Sequence, residues 1–385
     1  MVEVGASYIK ADIKINYSHM KNIILIISLL SIISCGSQTG GKNGDSDKIS
    51  TTLSESELIA KAEEIHKKYF TVDTHNDAAL RIGIRDENGN PVNSQVTFPM
   101  MKAGGLDAAV FAIYLSQKER TDEAHKVVTE RTYQLLSDFK KYVEEYDSVG
   151  IAYSSEDLLR NKANGNTSII LGIENGYAIG TDIKNLEKFR DMGVICMTLC
   201  HNGHNEICDT STDSIPEHGG LSDYGRKVVK EMNRLGMMVD VSHASTKTLY
   251  DVIEVSEKPI FASHSSVWNL KNHNRNLKDH EMKAIADKGG LIQVAIGRFF
   301  LSEEPRDSIS VKHIADHVDY IKNIVGIEHV GLGTDYDGGG WVRDMKDASQ
   351  VKNLTVELLR RGYTEEELAL FWGGNFIRFM KSQNL

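Results

Sequence analysis

Four cysteines in 385 residues, Cys35, Cys196, Cys200 and Cys208, form no CxxC pair and fall far below the density of a disulfide-stapled secreted scaffold. Cys196 and Cys200 lie in one short apolar run, so buried thiols are expected, with a disulfide through Cys208 left open. The chain also lacks a glycine-rich phosphate loop of the GxGxxG or GxxxxGK type, coiled-coil heptads, a solenoid repeat and any internal low-complexity tract. A basic surplus is missing too: the net charge is -10 and the isoelectric point near 5.8, which argues against a nucleic-acid surface and favours small or neutral ligands. What remains, 41% hydrophobic and 25% charged residues, is an ordinary globular composition.

The N-terminus carries the one targeting signal. Met20-Lys21-Asn22 precedes the apolar run Ile23 to Ile33, too short to span a bilayer as a mature helix, and Ser34-Cys35-Gly36 follows. Ile32-Ile33-Ser34-Cys35 resembles the lipobox of bacterial lipoproteins, which implies a lipid on Cys35, membrane attachment through it and a place in the bacterial cell envelope, with the membrane face open. Residues 1–35 read as leader and signal peptide. Residues 36–53, rich in Gly, Ser, Asp and Lys, have too little apolar surface to offset the entropy of ordering and read as a flexible tether.

From residue 54 to 385 the pattern is that of a single catalytic domain. Ser54-x-x-Glu57 is a capping box ahead of Leu58, Ala62, Ile65 and Tyr69 at helical spacing, so a helix opens it. Eight candidate strands follow, at 71–76, 106–115, 167–174, 194–200, 237–243, 259–264, 290–296 and 329–334. Amphipathic helices lie between several of them, such as Val228, Met232 and Leu235 before Gly236, and Val311 to Val325 before Gly326. Eight strands alternating with helices imply a parallel sheet, closed as a (β/α)8 TIM-like barrel; an open doubly wound sheet is the alternative.

Several of these strands end in a side chain able to hold a metal or move a proton: His75 and Asp77, Glu174, His201, His243, His264 and Asp335. A barrel gathers such strand ends on its C-terminal rim, where active sites are built. His75 and Asp77 are two apart, so an extended strand points both to one side. Each residue alone has an ordinary structural explanation; their joint placement does not. Imidazoles and carboxylates are what Zn²⁺ accepts, and five donors over-supply one ion. Two ions about 3.5 to 4 Å apart, bridged by Glu174, with His75 and Asp77 on one and His243 and His264 on the other, is the expected arrangement.

At these residues the chain resembles the membrane (renal) dipeptidase family of zinc peptidases, in the amidohydrolase superfamily. The matching motifs are Asp73-Thr74-His75-Asn76-Asp77, Gly172-Ile173-Glu174-Asn175-Gly176, Met197 to Asn202, Gly236 to His243, Ser263-His264-Ser265-Ser266 with Arg275 and Asn276, Gly331 to Gly338, and Gly373-Gly374-Asn375-Phe376. They stand in family order from Phe70 to the C-terminus. The resemblance implies the same five metal ligands, and adds His201 as a catalytic residue contacting the scissile group, Arg275 as the group binding the substrate carboxylate, Asp335 as the acid/base, and homodimers as a common family state. It implies hydrolysis of dipeptides through a metal-bridging hydroxide, with N-acyl amino acid deacylation or lactone hydrolysis as the competing chemistries on the same barrel. Asp337 is expected to be structural and His204 to face solvent. Two loop segments depart from the family pattern, Ala78-Ala79-Leu80-Arg81-Ile82-Gly83 and Gly203-His204-Asn205-Glu206-Ile207-Cys208. They put substrate preference in doubt, not the metal ligands.

Overall fold

The computed structural model of the protein describes residues 53–85 and 92–385, which belong to one unit. Cys35, the leader and all of the tether but Leu53 lie outside the described residues. Among those described, no helix is long and apolar enough to cross a membrane.

The opening helix, Glu55–Lys68, is capped as expected: the Ser54 backbone N–H donates to Glu57 at 2.7 Å, and the Glu57 N–H donates back to the Ser54 hydroxyl. Among the described residues nine parallel strands follow: β1 (Val72–Asn76), β2 (Ala108–Tyr114), β3 (Val149–Ile151), β4 (Thr167–Glu174), β5 (Val194–Thr198), β6 (Met238–Asp240), β7 (Phe261–Ala262), β8 (Leu291–Val294) and β9 (Val330–Leu332). They pair in the order β1-β2-β4-β5-β6-β7-β8-β9, with β3 hanging on β4 outside that path. The ends of the path meet: Asn76 bridges Tyr336, the Asp335 N–H donates to the His75 carbonyl at 2.9 Å, and the Asp77 N–H donates to the Tyr336 carbonyl at 2.8 Å. This is the expected barrel of eight strands, nearly closed; β3 was not anticipated, being three residues long and only half-buried.

Strand faces alternate. In β2, Ala109, Phe111 and Ile113 belong to the main core, whereas Ala108 and Val110 join Val72, Ile170, Met238, Phe261 and Leu291 in a second cluster with Phe376, Phe379 and Met380. Most of these strand residues stand at strand starts. The C-terminal helix Asn375–Ser382 therefore packs against the N-terminal end of the barrel, which assigns the Gly373-Gly374-Asn375-Phe376 motif a structural task. Gly373 is needed there because any Cβ would collide with the Phe70 carbonyl, and the Asn375 amide donates to the Ile327 and Val330 carbonyls at 2.7 and 3.0 Å. With that end filled by apolar packing, the polar strand ends collect at the other.

Two strands stop earlier than their apolar runs. β6 ends at Asp240 and β7 at Ala262 because the Asp240 carboxylate accepts the N–H groups of both Ser242 and Ser263 at 2.9 Å, taking over from the backbone ladder. Beyond it His243 turns into the left-handed region at φ 68. Asn175 (φ 80) and Asp335 (φ 58) do the same after β4 and β9. Backbone strain of this kind concentrates where side chains are held for function.

Candidate active site and metal centre

All the predicted site residues converge on the C-terminal rim. The Glu174 Oε1 atom lies at the centre: His243 Nε2 stands 3.1 Å from it, His264 Nε2 3.5 Å, His75 Nε2 3.7 Å and His201 Nε2 3.8 Å. Asp77 Oδ2 is 3.8 Å from His75 Nε2, and Asp335 shares a potential ligand cluster with His75 and His264. His75 stacks on His264 at 3.8 Å between ring centroids, and His201 leans on His243 at 4.2 Å. His75, Asp77, Glu174, His243 and His264 are all buried, whereas His201 and Asp335 are partly exposed.

These donors suit divalent metal ions. The Nε2 atoms of His243 and His264 face each other at 3.0 Å, while their Nδ1 atoms are held from behind, His243 by the Asn202 amide oxygen at 3.1 Å and His264 by the Ser263 hydroxyl at 2.8 Å. Ser263 in turn donates to Asp240 at 2.6 Å. Outer partners of this sort fix the orientation of ligating imidazoles. His75 Nε2 and Asp77 Oδ1 are buried and have no hydrogen-bond partner among the described residues, a place that a cation would fill. Gly338 keeps the space open: a Cβ there would strike both the Asp77 and the Asp335 carboxylates.

Electrostatics point the same way. Burial and then Asp77 push Glu174 well above the usual carboxylate range, and the same two causes raise Asp335 to about 7. Burial opposes a charge on His75, but Glu174 and Asp77 outweigh it and hold its pKa at about 10. Burial and then Arg275 lower His201 to about 4; burial likewise drives His243 and His264 well below the ordinary histidine value. With the protein groups alone Glu174, Asp335 and His75 favour protons that a divalent cation would displace, while burial favours the neutral forms of His201, His243 and His264.

Arg275 is 6% exposed. Its Nη2 donates to the His264 carbonyl at 3.3 Å, its guanidinium lies 5.6 Å from the Phe300 ring, and its Nε has no partner. It opens on a cleft of about 770 Å³ together with Asp77, Glu174, His201, His243 and Asp335.

Three residues that hold the site were not singled out from the sequence: Asp73, Asp240 and Asn202. Asp73 accepts from the Thr334 N–H at 2.7 Å and from the His75 N–H at 3.3 Å, tying β1 to the chain beyond β9 beside the ligands. A legible signal did exist, since Asp73 and Asp240 are acids set in apolar strand runs two and three residues before His75 and His243; the structure buries both. Asp337 is structural as expected, accepting from Ser94 and from the Gln95 N–H. His204 is not a solvent-facing histidine. It is buried, its Nε2 bonded to the Ile215 carbonyl at 2.9 Å and its Nδ1 accepting from the Thr210 N–H at 3.1 Å, so it pins the loop that follows His201. Among the described residues Cys196, Cys200 and Cys208 are buried free thiols, with no disulfide between them.

The model of the membrane dipeptidase family, peptidase family M19, matches residues 59–385. A dipeptidase of Aspergillus oryzae is 31% identical over 336 residues, covering 83% of this chain and 79% of its own. The structure of a probable dipeptidase of Pseudomonas aeruginosa, PvdM, superposes with a TM-score of 0.80 at 28% identity, covering 85% of this chain and 98% of that one. A structure described as an amidohydrolase from the same organism gives 0.71 at 27% identity, over 84% and 98%. On the strength of that match, and of an acid and imidazole cluster built for metal at the rim of a (β/α)8 barrel, this chain belongs to the membrane dipeptidase family, M19, and is a metallo-dipeptidase.

Proposed function

We propose that the chain hydrolyses the peptide bond of dipeptides with two zinc ions, bridged by Glu174 and held further by His75 and Asp77 on one side and His243 and His264 on the other. When bound, such ions supply Lewis acidity and bring the pKa of a water to about 7, which makes a nucleophile available at neutral pH. The protein groups do the rest. Asp335 takes the proton of the attacking water and returns it to the leaving amine. His201, neutral through burial, donates from its ring to the carbonyl oxygen as that oxygen gains charge. Membrane attachment through a lipid on Cys35 belongs to the same proposal and rests on the sequence alone.

The observation that carries the dipeptide reading is Arg275, a buried guanidinium that opens on the same cleft as the Glu174 cluster and has no ion pair among the described residues. A buried cation left unpaired is costly, and a carboxylate can meet it with two parallel hydrogen bonds. The α-carboxylate of a dipeptide lies one residue from its single peptide bond; in a longer peptide only the last bond stands at that distance.

The test is a substrate panel on protein of measured zinc content, before and after chelation and zinc return. Dipeptides are expected to be cleaved, with activity lost on chelation and restored by zinc. Turnover of N-acyl amino acids or lactones in preference to dipeptides would replace this reading. Arg275→Ala should cut kcat/KM for dipeptides about a hundredfold or more, the effect of truncating one partner of a buried charge pair. For the same dipeptide amidated at its C-terminus the ratio of wild type to variant should be near one. An equal loss on both substrates would remove Arg275 from carboxylate recognition.

A further inference from the structure

Past Asp77 the chain makes a short 3-10 turn, Ala78–Leu80, and then presents Arg81. Among the described residues this guanidinium has no strong partner. Its Nε is 3.8 Å from Asp337 Oδ1, and the Asp337 carboxylate already accepts two bonds from the Gln95 N–H and one from Ser94. Half of the Arg81 side chain is exposed, and it lines the main cleft beside Leu80. It also lines an adjoining recess of about 470 Å³ with Gln95 and Trp341.

The barrel order sets its relation to the rest of the site. Arg275 follows β7 and Arg81 follows β1, three strand positions apart round the rim through β8 and β9. A dipeptide whose carboxylate lies on Arg275 and whose scissile carbonyl lies at the Glu174 cluster carries its first residue toward Asp77, hence toward Leu80 and Arg81. The apolar Leu80 suits the methylene stem of a side chain and the guanidinium suits a carboxylate at its tip.

We infer that Arg81 is a specificity-determining residue that selects dipeptides whose amino-terminal residue bears a side-chain carboxylate. The inference rests on the dipeptidase reading and extends it to a substrate class.

Steady-state kinetics on zinc-loaded full-length protein with Glu-Ala, Gln-Ala, Lys-Ala and Leu-Ala test it, in the wild type and in Arg81→Gln and Arg81→Glu, with melting temperatures confirming that the variants fold. The wild type should prefer Glu-Ala over Gln-Ala in kcat/KM by about tenfold, the discrimination expected of one charge-assisted pair at a partly open site. Arg81→Gln should bring that ratio to near one, and Arg81→Glu should favour Lys-Ala over Glu-Ala. A wild type that cleaves Leu-Ala but shows no preference for Glu-Ala over Gln-Ala, or a preference that survives Arg81→Gln, overturns the role of Arg81 alone. Failure of the wild type to cleave any of the four overturns the dipeptidase reading and this inference with it.

Discussion

Glu174→Gln is expected to lower kcat/KM for dipeptides by about a thousandfold or more, a loss of the size seen when a group acting directly on the reacting centre is removed, and to leave fewer than two zinc ions per chain. Four imidazole nitrogens lie between 3.1 and 3.8 Å from one oxygen of this carboxylate, so its charge would serve both ions of the proposed centre. Glutamine keeps the volume and one acceptor but removes the charge that two cations would share. Metal analysis and steady-state rates check this together; wild-type metal content with wild-type rates would show that the two halves do not depend on Glu174.

The same carboxylate sets how metal binding responds to pH. Glu174 is raised well above its ordinary range and His75 is held at about 10, so both of these ligands favour protons that an incoming cation must displace. The sign follows: apparent metal affinity falls as pH drops below about 10, where His75 takes up its proton, and binding releases protons. His243 and His264, whose pKa values are depressed by burial, add little competition over that range.

Much of this was readable in the sequence because parallel barrel strands are buried on both faces and appear as short apolar runs, each ending where the chain must become polar. Thr167–Glu174 was legible to the residue because its run is long and Glu174 closes it. β7 was overestimated because composition cannot show that the Asp240 side chain, rather than the backbone of Ser263 and His264, completes the ladder there. Asn202 eluded a reading by strand ends for a related reason. Its contact with His243 spans 41 residues, and nothing local in His201-Asn202-Gly203 announces it. His204 misled because a histidine in a glycine- and asparagine-rich segment has the look of a surface loop. The segment is instead folded inward by the Ile215 carbonyl and by Asn205, whose amide donates to the Leu199 carbonyl at 2.9 Å. Arg275 stands among asparagines and owed its expected place at the substrate carboxylate to the family resemblance; the fold adds that it is buried against the His264 carbonyl.

Asp335→Asn is expected to leave zinc content and KM near wild-type values while kcat falls by about 10²- to 10⁴-fold, the usual contribution of a positioned general acid or base. Asp335 sits in the left-handed region at φ 58, held by its own N–H to the His75 carbonyl at 2.9 Å, and asparagine tolerates that conformation, so the substitution tests charge rather than backbone. Its elevated pKa, about 7, arises first from burial and then from Asp77. Nearby divalent cations favour the carboxylate and draw that value down, so the metal-loaded enzyme should lose activity only on the acid side of neutrality, as Asp335 protonates and ceases to act as a base. In Asp335→Asn that acid limb should vanish from the kcat profile at pH values where zinc stays bound. A purely structural part for Asp335 predicts the opposite pattern, with metal lost, KM raised and the shape of the pH profile retained.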